Sequence, residues 1–218
     1  MTPPGRVGDN PLMIDMTAVD REIRAARAEL ADPDNVKGIL SLPTRKRIWR
    51  AMLDPADDEL SYQHRIRLKI ACVQHVHHLW YRAFPEDQRV EKMLALAQQL
   101  IYGQVDPNQT MEDAEGFFAS IYEEVEDFNS ITQPAVYVAD ASAHMVTSAC
   151  HLSPNYDTVG RAVDDDDLLP DSLDESYSCA SAAAGALNWM PVEMTDVPAR
   201  RAFWTWYLDE AIPTTLAT

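Results

Sequence analysis

The stretch from Arg200 to Pro213, Arg-Arg-Ala-Phe-Trp-Thr-Trp-Tyr-Leu-Asp-Glu-Ala-Ile-Pro, sets four large aromatics within five positions: Phe203, Trp204, Trp206 and Tyr207. Each such ring carries about 150–250 Å² of surface that is stable only when covered. A chain ending this way must fold around its last helix. At helical spacing, Trp206, Glu210, Phe203, Tyr207, Arg200, Ala211, Trp204 and Leu208 share one broad arc, and Arg201, Thr205 and Asp209 lie opposite. Glu210 is a carboxylate on the apolar arc, close to a helix C-terminus whose macrodipole disfavours it. The arrangement predicts a buried ion pair, because a buried carboxylate needs a cation and hydrogen bonds.

The rest of the chain reads as helices broken by Pro, Gly and Asp-Pro steps. Residues 1–14 form a flexible lead-in, and residues 15–218 form a single domain. Helices are predicted over Thr17–Ala31, Thr44–Leu53, Ser61–Ala83, Glu86–Tyr102, Thr110–Asn129, Pro134–His151, Leu173–Trp189 and from Thr195 onward. The helix from Ser61 has the clearest periodicity: Ile66, Ile70, Val73, His77, Trp80 and Phe84 recur every three or four residues, which marks it as central. Arg65 and Lys69 project from its apolar side, so Arg65 is the first partner to consider for Glu210. His64, His75 and His78 share its polar side. Residues 152–172, with Pro154, Gly160, the run Asp164–Asp167 and Pro170, form a long acidic loop. Strand-like alternation is nearly absent. The expected fold is all-α, seven or eight helices packed largely as antiparallel pairs.

Charge is distributed unevenly. Residues 1–105 hold 15 Lys/Arg against 14 Asp/Glu, and residues 106–218 hold 3 against 21. A field of that sign repels nucleic acid, anionic lipid and nucleotide phosphates, and it steers basic partners inward. No run is apolar enough to span a bilayer and no secretory signal is visible at the N-terminus. Cys72, Cys150 and Cys179 are odd in number and widely spaced, as buried free thiols of a cytoplasmic protein are.

Candidate chemistry is sparse. His75 and His78 have the i, i+3 spacing of metal ligands and could recruit Glu91, but no HExxH or paired CxxC accompanies them, so no metal site is assigned. Asp140 and His144 lie one turn apart without a nucleophile motif, and a structural pair is expected. The acids at 164–175 miss the ligand and glycine that an EF-hand loop requires at its fifth and sixth positions. No phosphate-binding loop or dinucleotide fingerprint occurs. The sequence implies no cofactor and no catalytic residue.

Phe203-Trp204-Thr205-Trp206-Tyr207-Leu208-Asp209-Glu210-Ala211-Ile212-Pro213 resembles the ending of an all-helical immunity-protein family of bacterial polymorphic toxin systems, the fifth in its numbered series. The stretch from Trp80 through Phe84-Pro85-Glu86-Asp87 to Leu94-Ala95 and Leu100 is similar to the same family. The resemblance implies a non-catalytic cytoplasmic antitoxin that binds a cognate toxin, often a nuclease.

Together the readings predict stoichiometric inhibition of a basic toxin through Asp113, Glu123, Glu124, Glu126 and Asp127, and through Asp164, Asp165, Asp166 and Asp167. Arg65, Trp80, Phe203, Trp204, Trp206, Tyr207 and Glu210 are assigned to structure. The alternatives are a metal-dependent helical enzyme using His75 and His78, or a helical regulatory domain binding another basic protein.

Overall fold

In the computed structural model, residues 13–159, 163–168 and 173–218 are described. Most of the expected lead-in, and Gly160, Arg161 and Pro170 of the expected acidic loop, lie outside them. The described residues contain no strand, and the fold is all-α. The helices are α1 (Met16–Ala31), α2 (Leu42–Ala51), α3 (Asp58–Val76), α4 (His78–Ala83), α5 (Arg89–Ile101), α6 (Pro107–Glu124), α7 (Thr132–Ala149), α8 (Glu175–Ala184), α9 (Val197–Trp206) and α10 (Ile212–Leu216). Only His77, itself in helical conformation, separates α3 from α4. A wide π-turn, Tyr207–Ala211, joins α9 to α10. The rods therefore number eight among the described residues.

Local chemistry sets the helix starts. The carboxylates of Asp15, Asp57, Asp106, Asp174 and Asp196 accept from backbone N–H groups in the first turns of α1, α3, α6, α8 and α9. Each satisfies donors that have no partner within the helix. Thr17 and Thr110, the predicted starts of two helices, lie inside α1 and α6, which the preceding Asp15 and Asp106 cap. Gly185 ends α8 in the left-handed conformation, φ 64°, that glycine adopts without steric cost.

Two helices share the centre. Helix α3 buries Ile66, Ile70 and Val73 as its periodicity requires, and it also buries His64, which the sequence had on the polar side. His64 borders a cavity of about 30 Å³, and burial, then the nearby Arg67, pushes its pKa down, leaving a neutral ring. Helix α7 packs against α3, α4, α5, α6 and α8. Its alanines and serines, Ala135, Ala139, Ser142, Ala143 and Ala149, let those neighbours approach closely. One connected set of buried apolar residues runs from Val19 in α1 to Ile212 in α10.

The terminal segment fills this core with Phe203, Trp204, Tyr207 and Leu208, while Trp206 is half-buried. The Trp49 indole donates to the Tyr207 hydroxyl at 2.8 Å. Glu210, however, is exposed, which overturns the expected buried ion pair. The cause is the π-turn, in which the Ile212 N–H donates to the Tyr207 carbonyl five residues back. The extra residue in that turn rotates Glu210 out of the apolar arc and brings Ile212 into it.

Candidate partner-binding surface

Buried cations do occur, but their carboxylates come from the expected acidic loop, Asp157 and Asp165, and from the start of the helix expected after it, Asp174 and Glu175. Arg45 of α2 is fully buried. It donates to Asp165 and Asp174 at 2.5 Å each, and to the Leu40 carbonyl at 2.6 Å. Lys69 donates to Glu175 and lies 3.2 Å from Asp157, which also meets Arg65 at 3.2 Å. Arg65 further donates to the Ser148 and His151 carbonyls, so its partner is Asp157 and not Glu210. Lys46 and Arg50 reach the Val159 and Thr158 carbonyls. The basic residues of α2 and α3 thus bind the acidic segment to the core.

The electrostatics of this cluster follow from burial and pairing. Burial opposes charge on Asp174, but Arg45 and Lys69 outweigh it and hold the carboxyl down to about 2. Burial pushes Glu175 up to about 7, with Lys69 acting in the opposite direction. For Lys69 burial is outweighed by Asp157, Glu175 and Asp174, and its ammonium is held above the ordinary range.

This places the predicted binding acids in two groups. Asp165 is buried on Arg45 and is not available to a partner, a correction to the sequence reading. Its neighbours Asp164, Asp166 and Asp167 are exposed. On α6 and the turn that follows, Glu123, Glu124, Glu126 and Asp127 are exposed and Asp113 is half-buried. Glu124 also belongs to a structural knot built by the Trp80 motif. The Trp80 indole donates to the Asp87 carbonyl at 2.8 Å, and Arg89 clasps Asp87 and Glu124 with its guanidinium 5.8 Å from the Trp80 ring.

Helix α6 was expected to reach Asn129 but ends at Glu124, where Val125 turns to extended backbone. Asn129 and Thr132 hold the turn: Asn129 Oδ1 accepts from the Ile131 and Thr132 N–H groups, and the Thr132 hydroxyl donates to the Asp127 carbonyl. The buried stripe is therefore Ala114, Phe117, Ile121 and Val125. Tyr122, Phe128 and Ile131 lie outside that stripe and are 47%, 48% and 41% exposed. Val125 to Phe128 hold no Gly, Pro or Asn to mark the stop, and the Asn129-Ser130 step comes only after it.

Beside this apolar patch opens a cavity of about 260 Å³, bordered by Phe118, Tyr122, Tyr137, Asp140, Tyr177 and Trp189 among others. Trp189 lies in the segment after α8 and is 64% exposed. The Tyr122 hydroxyl donates to Asp140 Oδ2 at 2.9 Å, so Asp140 joins α7 to α6. Burial pushes Asp140 up to about 7, against the opposing hydrogen bond from Tyr122. His144 also borders the cavity, its ring edge-on to Phe118 at 5.9 Å.

His75 is stacked on Trp206 with centroids 3.7 Å apart. Among the described residues no three His, Cys, Asp or Glu groups are arranged to hold a metal ion. Cys72 and Cys179 are buried free thiols and Cys150 is half-buried. Burial raises all three, Cys150 to about 11, which makes them poor nucleophiles. No helix of the described residues is long and apolar enough to cross a membrane.

No curated protein matches the chain. The family described as Immunity protein Imm5 matches residues 23–214, a span that takes in all of the helices from α2 to α9, the Trp80 knot and the aromatic segment up to Thr214. With most of its length matched, and with both motif stretches building the core of an all-α fold, the chain belongs to the Imm5 family of immunity proteins of toxin systems.

Proposed function

We propose that the chain neutralises its cognate toxin by forming a one-to-one complex, and that the contact face is the surface around the end of α6. The observation that carries this reading is the composition of that face. Tyr122, Phe128 and Ile131 form an exposed apolar centre, and Glu123, Glu126 and Asp127 beside them have no ion-pair partner among the described residues. An aromatic centre with a charged rim is the usual anatomy of a binding hot spot. The acidic rim favours a basic toxin domain, of which a nuclease is the natural example because its own substrate is anionic. Carboxylates in a basic groove would exclude that substrate, and catalysis by the immunity protein plays no part. The action belongs in the cytoplasm, where a nuclease would find its target.

Co-expression with the toxin encoded beside the gene tests the proposal. Growth should be restored and the two chains should co-purify at low salt. Unrestored growth together with no complex would refute it. A toxin domain with an acidic surface would remove the basic-partner reading while leaving immunity itself in place.

A further inference from the structure

The cavity at the edge of the α6 face holds a feature that an acidic surface does not explain. Asp140 Oδ2 is taken by the Tyr122 hydroxyl, whereas Oδ1 is buried and accepts no hydrogen bond among the described residues. An ionised carboxylate can accept about four hydrogen bonds, and a bare buried oxygen is unfavourable unless something completes it. The cavity that Asp140 helps to line is also bordered by the rings of Phe118, Tyr122, Tyr177 and Trp189, and Asp166 adds negative charge at the border. Among the described residues neither Lys nor Arg lines the cavity, and His144 is its one basic side chain. Ring faces attract a cation through their quadrupole, and a carboxylate accepts from a guanidinium fork. A compact ammonium uses flat aromatic walls less well than a planar guanidinium does.

We propose that this cavity receives an arginine side chain of the toxin, stacked among the aromatic rings and donating to Asp140. The inference rests on the reading that the chain binds a basic toxin, and it names the chemistry of one anchor in that contact. The pairing would bury a charge that Asp140 can neutralise, in an aromatic-lined pocket of the kind that arginine hot-spot anchors fill.

The test uses the full chain and a small probe. Nα-acetyl-arginine amide is titrated into ¹⁵N-labelled protein, followed at the Trp189 indole N–H, with the neutral citrulline counterpart as control. A saturable shift with the arginine compound is expected, at least tenfold weaker with citrulline and absent in Asp140→Asn, which keeps the side-chain shape. Equal responses to the two compounds, or an unchanged response in Asp140→Asn, overturn the proposal. In the toxin complex, Asp140→Asn should weaken affinity at least tenfold while the variant keeps its fold, read as an unchanged far-ultraviolet circular dichroism spectrum. Trp189→Ala, on an exposed segment, should weaken it too without loss of fold. Full neutralisation by both variants sinks the arginine anchor and leaves the immunity reading intact. Failure of the unmodified chain to bind toxin sinks the immunity reading, while the arginine titration still decides whether the cavity takes a guanidinium.

Discussion

Two acidic regions of this chain look alike in the sequence and differ in the fold. The acids from Asp157 to Glu175 include four that pair with Arg45, Arg65 and Lys69, at separations of up to 129 residues along the chain. Those at the end of α6, Glu123, Glu126 and Asp127, stand in solvent. The first group fixes the described parts of its segment onto the core, and the second is left for something else. Net charge therefore says little about which carboxylates a partner can reach, because a buried cation can claim them first.

Arg45→Met is the most severe way to break the first region. It leaves Asp165 and Asp174 buried without their cation, and a loss of about 3–5 kcal/mol is expected, the scale for stripping one partner from a buried pair. Urea unfolding measures it; a loss below about 1 kcal/mol would mean that the cluster is far more hydrated than its burial implies.

The contrast can also be sharpened within one run of aspartates. Asp165→Ala should destabilise by about 2–3 kcal/mol, since it leaves Arg45 partly unsatisfied. Asp166→Ala, one residue on and exposed, should stay within about 0.5 kcal/mol. Equal effects at the two positions would erase the distinction between the regions.

The pH dependence of stability separates the cluster's members. Asp174 is held below its ordinary value, so its contribution is complete above about pH 4 and disappears as pH falls toward 2. Glu175 and Asp140 are raised to about 7, so their ionisation disfavours the fold: their contribution is complete below about pH 4 and is lost as pH rises through 7. The melting temperature should accordingly rise from pH 8 to about 5 and drop below 4. Glu175→Gln should flatten the upper slope by about 1–2 kcal/mol, or roughly 2–8 °C at this chain length. An unchanged slope in that variant would show that Glu175 does not titrate there.

The smallest effect on stability belongs to the second region. Combined Glu123→Gln, Glu126→Gln and Asp127→Asn should move stability by no more than about 0.5 kcal/mol, while slowing association with the toxin and weakening its dependence on salt. Stopped-flow mixing at two ionic strengths reads both. Glu210→Gln belongs with these neutral changes, since its carboxylate is exposed.

Much of the helical layout was legible because periodicity and capping are local. The central character of α3 and the aromatic plug at Phe203, Trp204 and Tyr207 follow from side-chain spacing alone. The errors arose where a local rule met a long-range one. An ideal wheel put Glu210 inside, and only the packing of Ile212 shows that the turn widens. Apolar spacing likewise does not separate Tyr122 and Phe128, which stay exposed, from Phe117 and Ile121, which the packing of α6 buries.

The sequence by itself determined an all-α chain, an aromatic last helix that had to be buried, buried cations on the apolar side of α3, and a strongly acidic second half. Helix periodicity and side-chain burial act over a few residues, so these properties are written in short stretches. Tertiary structure alone decided that the cations take their carboxylates from Asp157 to Glu175, that Asp165 turns inward while Asp166 does not, and that Asp140 keeps one bare oxygen beside an aromatic cavity. The first two outcomes depend on segments about a hundred residues apart meeting within 3.2 Å, the third on how two helices dock, and no spacing along the chain encodes either approach.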